Sequence, residues 1–413
     1  MTFSHNTIYF VGKAYHSRSL LLKVQQLGYG LGVFHDKNLK LHNDDLFDSI
    51  VPIDFSNPDK LIAQLEASGS ISAVGLICTY ERYVKAAAII SNALSLRGNS
   101  IRSSELCTDK LLMREAFMQA DPSITPRFAR VTSETELLAY ADTAPYPLYL
   151  KPASLVKSLL IARCVDRNDL LHNYRYIRDH ITETYQKYHV YDHEPHILVE
   201  EAIVGKGCSV AAFIDEQGVP HFCPGIVQIT TAQEQGISDN YLYKRVLPAT
   251  LDPVLESRIL AVAAIGITAL GMRSTPAHVE LIYDTSNNVK IVEIGARIGG
   301  YRPRMYELCY GIDMIEQEIA LATGSTLHLE GSQQALTGVF ELFPTSTGSF
   351  KGISNATDTQ EFTYFAPKAK PGQVVGPAKY GYKAAGIIIA SAAEPTFNKL
   401  TARVDTMQVE VDA

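Results

Sequence analysis

Short apolar runs alternate with stretches of helical period through the first part of the chain. Thr7-Ile8-Tyr9-Phe10-Val11-Gly12 reads as a strand, Ser17 to Leu27 as an amphipathic helix closed by Gly28, and Leu31 to His35 as a second strand. Ile50 to Ile53 is a third strand, Pro58 to Ser68 a helix, and Ala73 to Cys78 a further strand. This βαβ rhythm predicts a parallel, doubly wound sheet. Gly12 opens no G-x-G-x-x-G segment and is assigned to a strand-to-helix turn.

From Thr108 the pattern changes to α+β. Thr108 or Asp109 can cap a helix that runs to about Ala120 and is stopped by Asp121-Pro122. Phe128 to Val131, Tyr146 to Lys151, Ser158 to Val165, His196 to Glu201 and Ser209 to Ile214 read as strands. Helices are expected over Ser133 to Ala141, Asp169 to about Tyr188, and 251 to 271. After Gly324 the chain is strand-rich, at Gly338 to Phe343, Phe362 to Ala366 and Ala385 to Ala390, with a Pro/Gly/Lys loop over Lys368 to Pro377.

The most informative stretch lies between His278 and Ile294. The run from His278 to Tyr283 is followed by the polar cluster Asp284-Thr285-Ser286-Asn287-Asn288 and by a second β-branched run from Val289 to Ile294. That is a hairpin signature. If it is symmetric about the Ser286–Asn287 bond, Glu280 lies directly across from Glu293. Like charges facing each other across strands repel. The neighbours at i±2 include His278, Ile282, Ile291 and Gly295, so the shared face is not simply solvated. A cation held between the two carboxylates resolves this, and Mg²⁺, which takes oxygen ligands together with substrate phosphates, fits the donor set. Arg297 follows in Gly295-Ala296-Arg297-Ile298-Gly299-Gly300, where glycine lets the backbone approach a ligand.

Composition narrows the function classes. The 413 residues are 46% hydrophobic and 20% charged, enough for two or three globular domains. A net charge of −7 gives no electrostatic case for nucleic acid or an anionic membrane. No apolar run approaches the ~20 residues of a membrane span, and no leader-like apolar segment opens the chain. The six scattered cysteines form no C-x-x-C pair and read as reduced thiols of a cytoplasmic protein. No Ser/His/Asp or Cys/His arrangement suggests a nucleophilic side chain.

The elements occur in one order: Lys110 at the start of a capped helix, Lys151 at the end of a strand before a loop, Glu200 and Glu201 at a strand end, and the Glu280/Glu293 hairpin with Arg297. Together they resemble the ATP-grasp superfamily, chiefly through Val199-Glu200-Glu201-Ala202-Ile203-Val204-Gly205 and Val292-Glu293-Ile294-Gly295-Ala296-Arg297-Ile298-Gly299-Gly300. With Pro276-Ala277-His278-Val279-Glu280, the segment is most similar to bacterial L-amino acid ligases, which make dipeptides. The resemblance implies an ATP-grasp fold with an N-terminal Rossmann-like parallel-sheet domain and a small C-terminal β-rich subdomain like that of biotin carboxylases. Divisions are expected at 1–104, 105–201 (the small subdomain with the lid), 202–330 (the large subdomain with the metal site) and 331–413.

The implied activity is ATP-dependent amide or peptide bond formation between an L-amino acid, or a similar carboxylate, and an amine, through an acyl phosphate. Lys110 and Lys151 would neutralise the nucleotide's α- and β-phosphates, Ser158 and Ile203 would also contact ATP, and a strand end would offer backbone groups to adenine, with Glu200 or Glu201 nearby for polar contacts. Glu280 and Glu293 would hold Mg²⁺, with Mn²⁺ as an alternative ion, and Arg297 would stabilise charge on the transferred phosphoryl group. Tyr301, just after the two glycines, would line the substrate pocket and restrict its size. Arg302 and Arg304 either hold a substrate carboxylate or are surface arginines flanking Pro303. His278 either touches substrate or nucleotide, or is a packed strand histidine. Small-molecule substrates and a homodimer are the implied partners.

The sequence departs from the family pattern at Ala153 to Ser158, a lid loop without glycine, at Gly207, where a ribose-contacting glutamate is common, and at Gly295, where an asparagine joins the metal glutamates. A purine-biosynthesis or carboxylase-type enzyme, and a non-catalytic ATP-binding scaffold or sensor, are the competing readings.

Overall fold

In the first segment of the chain every residue of the strand Thr7–Gly12 is buried, as a parallel strand covered on both faces must be. The computed structural model describes residues 6–14, 18–155, 159–188, 190, 193–239 and 241–412. Thr7–Gly12 pairs in parallel with Gly30–Asp36 on one side and Gly75–Ile77 on the other, and Ser49–Ile53 completes the sheet at the Gly30–Asp36 edge. The expected helix at Pro58 to Ser68 is a 3₁₀ turn, Pro58–Lys60, leading into the α-helix Leu61–Ala67. At the carboxyl end of Gly75–Ile77 the chain turns through the short 3₁₀ segment Glu81–Tyr83 into the helix Val84–Ala93.

Asp109 caps the helix Lys110–Ala120, its carboxylate accepting from the amides of Leu111 and Leu112. This helix leads to an antiparallel sheet in the order Phe128–Val131, Ile197–Glu201, Leu148–Pro152, Ala162–Cys164. The helix Arg167–Lys187 buries Leu170, Tyr174, Ile177, Ile181 and Tyr185 against that sheet, the apolar stripe of a 3.6-residue period.

A much larger antiparallel sheet carries the rest. Its order is Val289–Gly295, Thr275–Tyr283, Lys206–Ile214, Val227–Thr231, Leu242–Leu247, Leu336–Leu342, Gly386–Ala392, Tyr364–Pro367, with Pro220–Phe222 beside Lys206–Ile214. The two faces hold different cores. Val210, Ala212, Ala277, Val279 and Leu281 pack on the helix Pro253–Ala269. Ala211, Phe213, Val227, Leu247 and Val339 pack on the helix Arg302–Tyr310. The C-terminal β-rich segment therefore shares its main sheet with the segment before it. Only Gly348–Ile353, Val374–Val375 and Val409–Asp412 form a separate sheet.

Glu280 does lie across from Glu293, but the hairpin is not symmetric about Ser286–Asn287. Near the turn Tyr283 faces Val289, Ile282 faces Lys290 and Leu281 faces Ile291, which centres the turn on Ser286. The register then shifts between Glu280 and Leu281, leaving Val292 as the extra residue of a β-bulge. Among the described residues no helix is long and apolar enough to cross a membrane, and the six cysteines are free, all buried except the half-buried Cys78.

Candidate active site

The capped helix, the hairpin and the carboxyl end of the parallel sheet meet at one cavity of ≈ 610 Å³, whose walls include Lys110, Leu155, Glu293, Arg297 and Glu81. Lys110 Nζ donates to the carbonyl of Leu155 at 2.8 Å and stands 3.7 Å from Glu293 Oε2. The Glu293 side chain is 41% exposed and the Glu280 side chain 24%, so Glu293 is the more open of the pair. Burial alone would raise the Glu280 carboxyl, but His278, Arg302 and Arg245 together hold it below its ordinary value. His278 itself is kept below its usual range by burial, against the pull of Glu280. A neutral ring donates Nε2–H to Glu280 Oε1 at 3.2 Å and leaves Nδ1 as an acceptor.

Two carboxylates facing each other on one sheet face, backed by cations rather than by further acids, suit an ion that completes its shell with phosphate oxygens and water. Among the described residues no group of three or more His, Cys, Asp or Glu side chains gathers around a metal position, so those residues offer no dedicated all-protein cage.

Lys151 Nζ reaches Glu200 Oε2 at 2.7 Å. Glu200 is fully buried and also takes Arg114, whose Nε lies 2.8 Å from Glu200 Oε1. Its carboxyl is pulled down to about 2: burial pushes it up, and the two cations outweigh burial. Glu200 is therefore the counter-ion of Lys151 and Arg114 rather than a group turned toward the cavity. Glu201 pairs with Arg127, whose Nε is 2.7 Å from Glu201 Oε1. Ile203 follows the strand half-buried, and Ser158 lies outside the described residues.

Arg297 Nε is 2.8 Å from Glu81 Oε2. Burial raises the Glu81 carboxyl above its ordinary value despite Arg297, and the nearby Glu293 adds to the rise. Gly295 makes the approach feasible, because a Cβ there would come within 3.0 Å of Glu81 Oε2. The space an asparagine side chain would take is filled by Glu81 from the parallel-sheet segment.

The residues after the two glycines separate. Tyr301, at φ +63°, donates its hydroxyl to Glu341 Oε1 at 2.9 Å. Arg245 holds the other oxygen of Glu341 at 3.0 Å and lies 5.4 Å from the Tyr301 ring centre. Tyr301 is thus turned toward the strand Leu336–Leu342. Arg302 is buried and makes no ion pair with a described residue: Nη2 donates to Ser209 Oγ at 2.8 Å, and Nε has no partner. Burial, with Arg245 adding to it, pushes its guanidinium down to about 10. His278 Nδ1 is the other buried atom here without a partner. Arg304 is not part of this group; the helix Arg302–Tyr310 turns it outward, where it pairs with Glu307.

Sequence reasoning missed Glu81, Arg114, Arg245 and Glu341. A charged residue just past the carboxyl end of a parallel strand was a usable sign for Glu81. For Arg114 the sign was a charge inside the buried stripe of Met113 and Phe117.

Residues 144–303 match the model of the ATP-grasp domain. The chain therefore carries an ATP-grasp domain, and its architecture is the ATP-grasp fold. Among solved structures, the L-amino acid ligase of Bacillus licheniformis superposes over 100% of both chains with a TM-score of 0.80 at 18% identity. Among curated proteins, the alanine–anticapsin ligase of Bacillus subtilis (strain 168) is 22% identical over 70% of this chain and 63% of its own length. The D-alanine–D-alanine ligase of Stutzerimonas stutzeri (strain A1501) is 26% identical over 48% of this chain and 57% of its own. The chain thus spans less than two thirds of the length of these two curated relatives.

Proposed function

We propose that the protein is an ATP-dependent carboxylate–amine ligase that joins an L-amino acid, or a similar carboxylate, to an amine. The observation that carries this reading is the Glu280/Glu293 pair on the sheet face beside Arg297 and Lys110, within an ATP-grasp fold. Lys110 and Lys151 serve the phosphates as compact cations, and the backbone around Ile203 serves adenine. Glu280 and Glu293 would hold Mg²⁺, or Mn²⁺ in its place. When bound, the ion supplies charge neutralisation at the phosphates.

In the first half-reaction a substrate carboxylate oxygen bonds to the γ-phosphorus while the bond to the ADP oxygen breaks. In the second, the amine nitrogen bonds to the acyl carbon, phosphate leaves and the nitrogen loses a proton. Arg297 acts in the first half by exchanging Glu81 for the oxygens of the phosphoryl group, whose charge grows in the transition state. Arg302 supplies a buried, unpaired cation for a substrate carboxylate through its free Nε, while the acceptor His278 Nδ1 is a ready contact for a donor such as a substrate ammonium. Water exclusion and positioning do the rest, since no side-chain nucleophile is required.

The test is phosphate release from purified protein with Mg-ATP and the twenty amino acids, singly and in pairs. Release that depends on particular amino acids, with a condensation product by mass spectrometry, is expected. Release driven instead by a sugar phosphate or bicarbonate, or ATP-dependent thermal stabilisation with no release under any substrate mix, refutes it.

A further inference from the structure

The β-bulge at Val292 decides which way Glu293 points. Continued without a shift, the pairing of Leu281 with Ile291 would set Glu280 against Val292 and Glu293 against Val279. Glu293 would then lie on the face of Val279 and Leu281, inside the apolar core under Pro253–Ala269. A bulge also leaves backbone groups without ladder partners, and buried carbonyls need donors. Here one side chain provides them. Arg114 Nη1 donates to the Ile291 carbonyl at 3.3 Å and Nη2 to the Val292 carbonyl at 2.7 Å. The same guanidinium donates from Nε to Glu200 Oε1 at 2.8 Å and from Nη2 to Glu200 Oε2 at 3.4 Å. Glu200 in turn holds Lys151.

Arg114 is among the largest fully buried side chains of the protein. It sits one helical turn after Lys110, which itself stands 3.7 Å from Glu293. One residue therefore touches both the end of the strand Ile197–Glu201 in the antiparallel sheet next to the helix Arg167–Lys187 and the hairpin of the large sheet.

We infer that Arg114 is a positioning residue for the metal hairpin: by holding the carbonyls of Ile291 and Val292 against Glu200, it fixes the bulge that turns Glu293 toward Glu280. This rests on the reading of Glu280 and Glu293 as metal ligands. Only a planar fork of five donors serves a carboxylate and two carbonyls at once; a lysine ammonium keeps the charge and loses the geometry. Arg114→Lys is thus the informative variant. Loss of such an outer contact typically lowers metal affinity about 10–100-fold.

The experiment measures Mn²⁺ affinity by electron paramagnetic resonance with a non-hydrolysable ATP analogue present, and analogue affinity in EDTA, for the wild type, Arg114→Lys, Glu293→Gln and the double variant. Arg114→Lys should weaken Mn²⁺ binding about 10–100-fold and leave metal-free analogue binding little changed. In the Glu293→Gln background it should have no further effect on the metal. Unchanged Mn²⁺ affinity overturns the inference, as does a loss shared equally by metal and metal-free nucleotide, or an undiminished extra loss in the double variant. A wild-type chain that takes up no Mn²⁺ with the analogue overturns the ligand reading itself, and this inference with it. Amide exchange in the wild type needs no folded variant. Adding Mn²⁺ to the analogue complex should protect the hairpin amides at 291–293 and those of Lys110–Ala120 together; protection of the hairpin alone overturns the inference.

Discussion

Replacing Glu200 by Gln keeps the shape of the side chain and removes a fully buried charge that two cations share. In the folded chain the Glu200 carboxyl titrates at about 2 against an ordinary value of 4.5. At about 1.4 kcal/mol per tenfold change, that difference makes about 3 kcal/mol of stability at neutral pH. It agrees with the ~3–5 kcal/mol lost when one partner of a buried pair is removed. The sign follows from the lowered value: the contribution is present in full above 4.5 and is lost as pH falls towards 2. With no Trp and 22 Tyr in the chain, urea unfolding followed by circular dichroism is the suitable assay. For a slope of about 2–3 kcal/mol per molar, the Gln variant should unfold about 1–1.5 M earlier at pH 7. The gap should narrow steadily below pH 4.5. Equal midpoints at pH 7, or a gap that stays constant down to pH 3, would refute the reasoning.

Three further outcomes are expected. Arg297→Ala should lower phosphate release by about 10²–10³-fold, with equilibrium ATP binding nearly intact, because its contact strengthens in the transition state; an active alanine variant removes the assignment. Glu293→Gln should raise the Mg²⁺ concentration needed for half-maximal turnover, and a metal titration that superposes on wild type argues against a ligand role. Gly205→Ala should lower the melting temperature: Gly205 has φ +150°, and a Cβ there would sit 2.2 Å from the Tyr283 carbonyl oxygen. The strain alone is worth about 1–3 kcal/mol, so an unchanged melt contradicts it.

Local signals carried much of the fold. Asp109 before an apolar helical stripe predicted the Lys110–Ala120 helix within a residue, because a cap is a short-range hydrogen bond. The two β-branched runs around Asp284 to Asn288 predicted that Glu280 meets Glu293. They did so through a symmetric hairpin, whereas the real one is shifted at the turn and corrected by a bulge. What the chain hid was long-range. Arg114 finds Glu200 and the Val292 carbonyl far along the sequence, and Glu81 finds Arg297 across two sheets. No periodicity encodes such meetings. Arg302 and Arg304, neighbours around Pro303, part because they open a helix: one side faces Ser209 and the other faces water.

The large sheet also bears on how far this protein can be trimmed. Leu242–Leu247 has Leu336–Leu342 as its outer partner, and that strand is covered in turn by Gly386–Ala392. A chain stopped at residue 330 would keep every residue expected at the site, yet would present Leu242–Leu247 as a bare edge with open amides and carbonyls. Such an edge recruits other strands, so the shortened chain should self-associate rather than remain a smaller working unit. It would also lose Glu341, the acceptor that holds Tyr301. The C-terminal segment thus holds Tyr301 in place, and exchanging it between relatives would alter that contact along with the sheet.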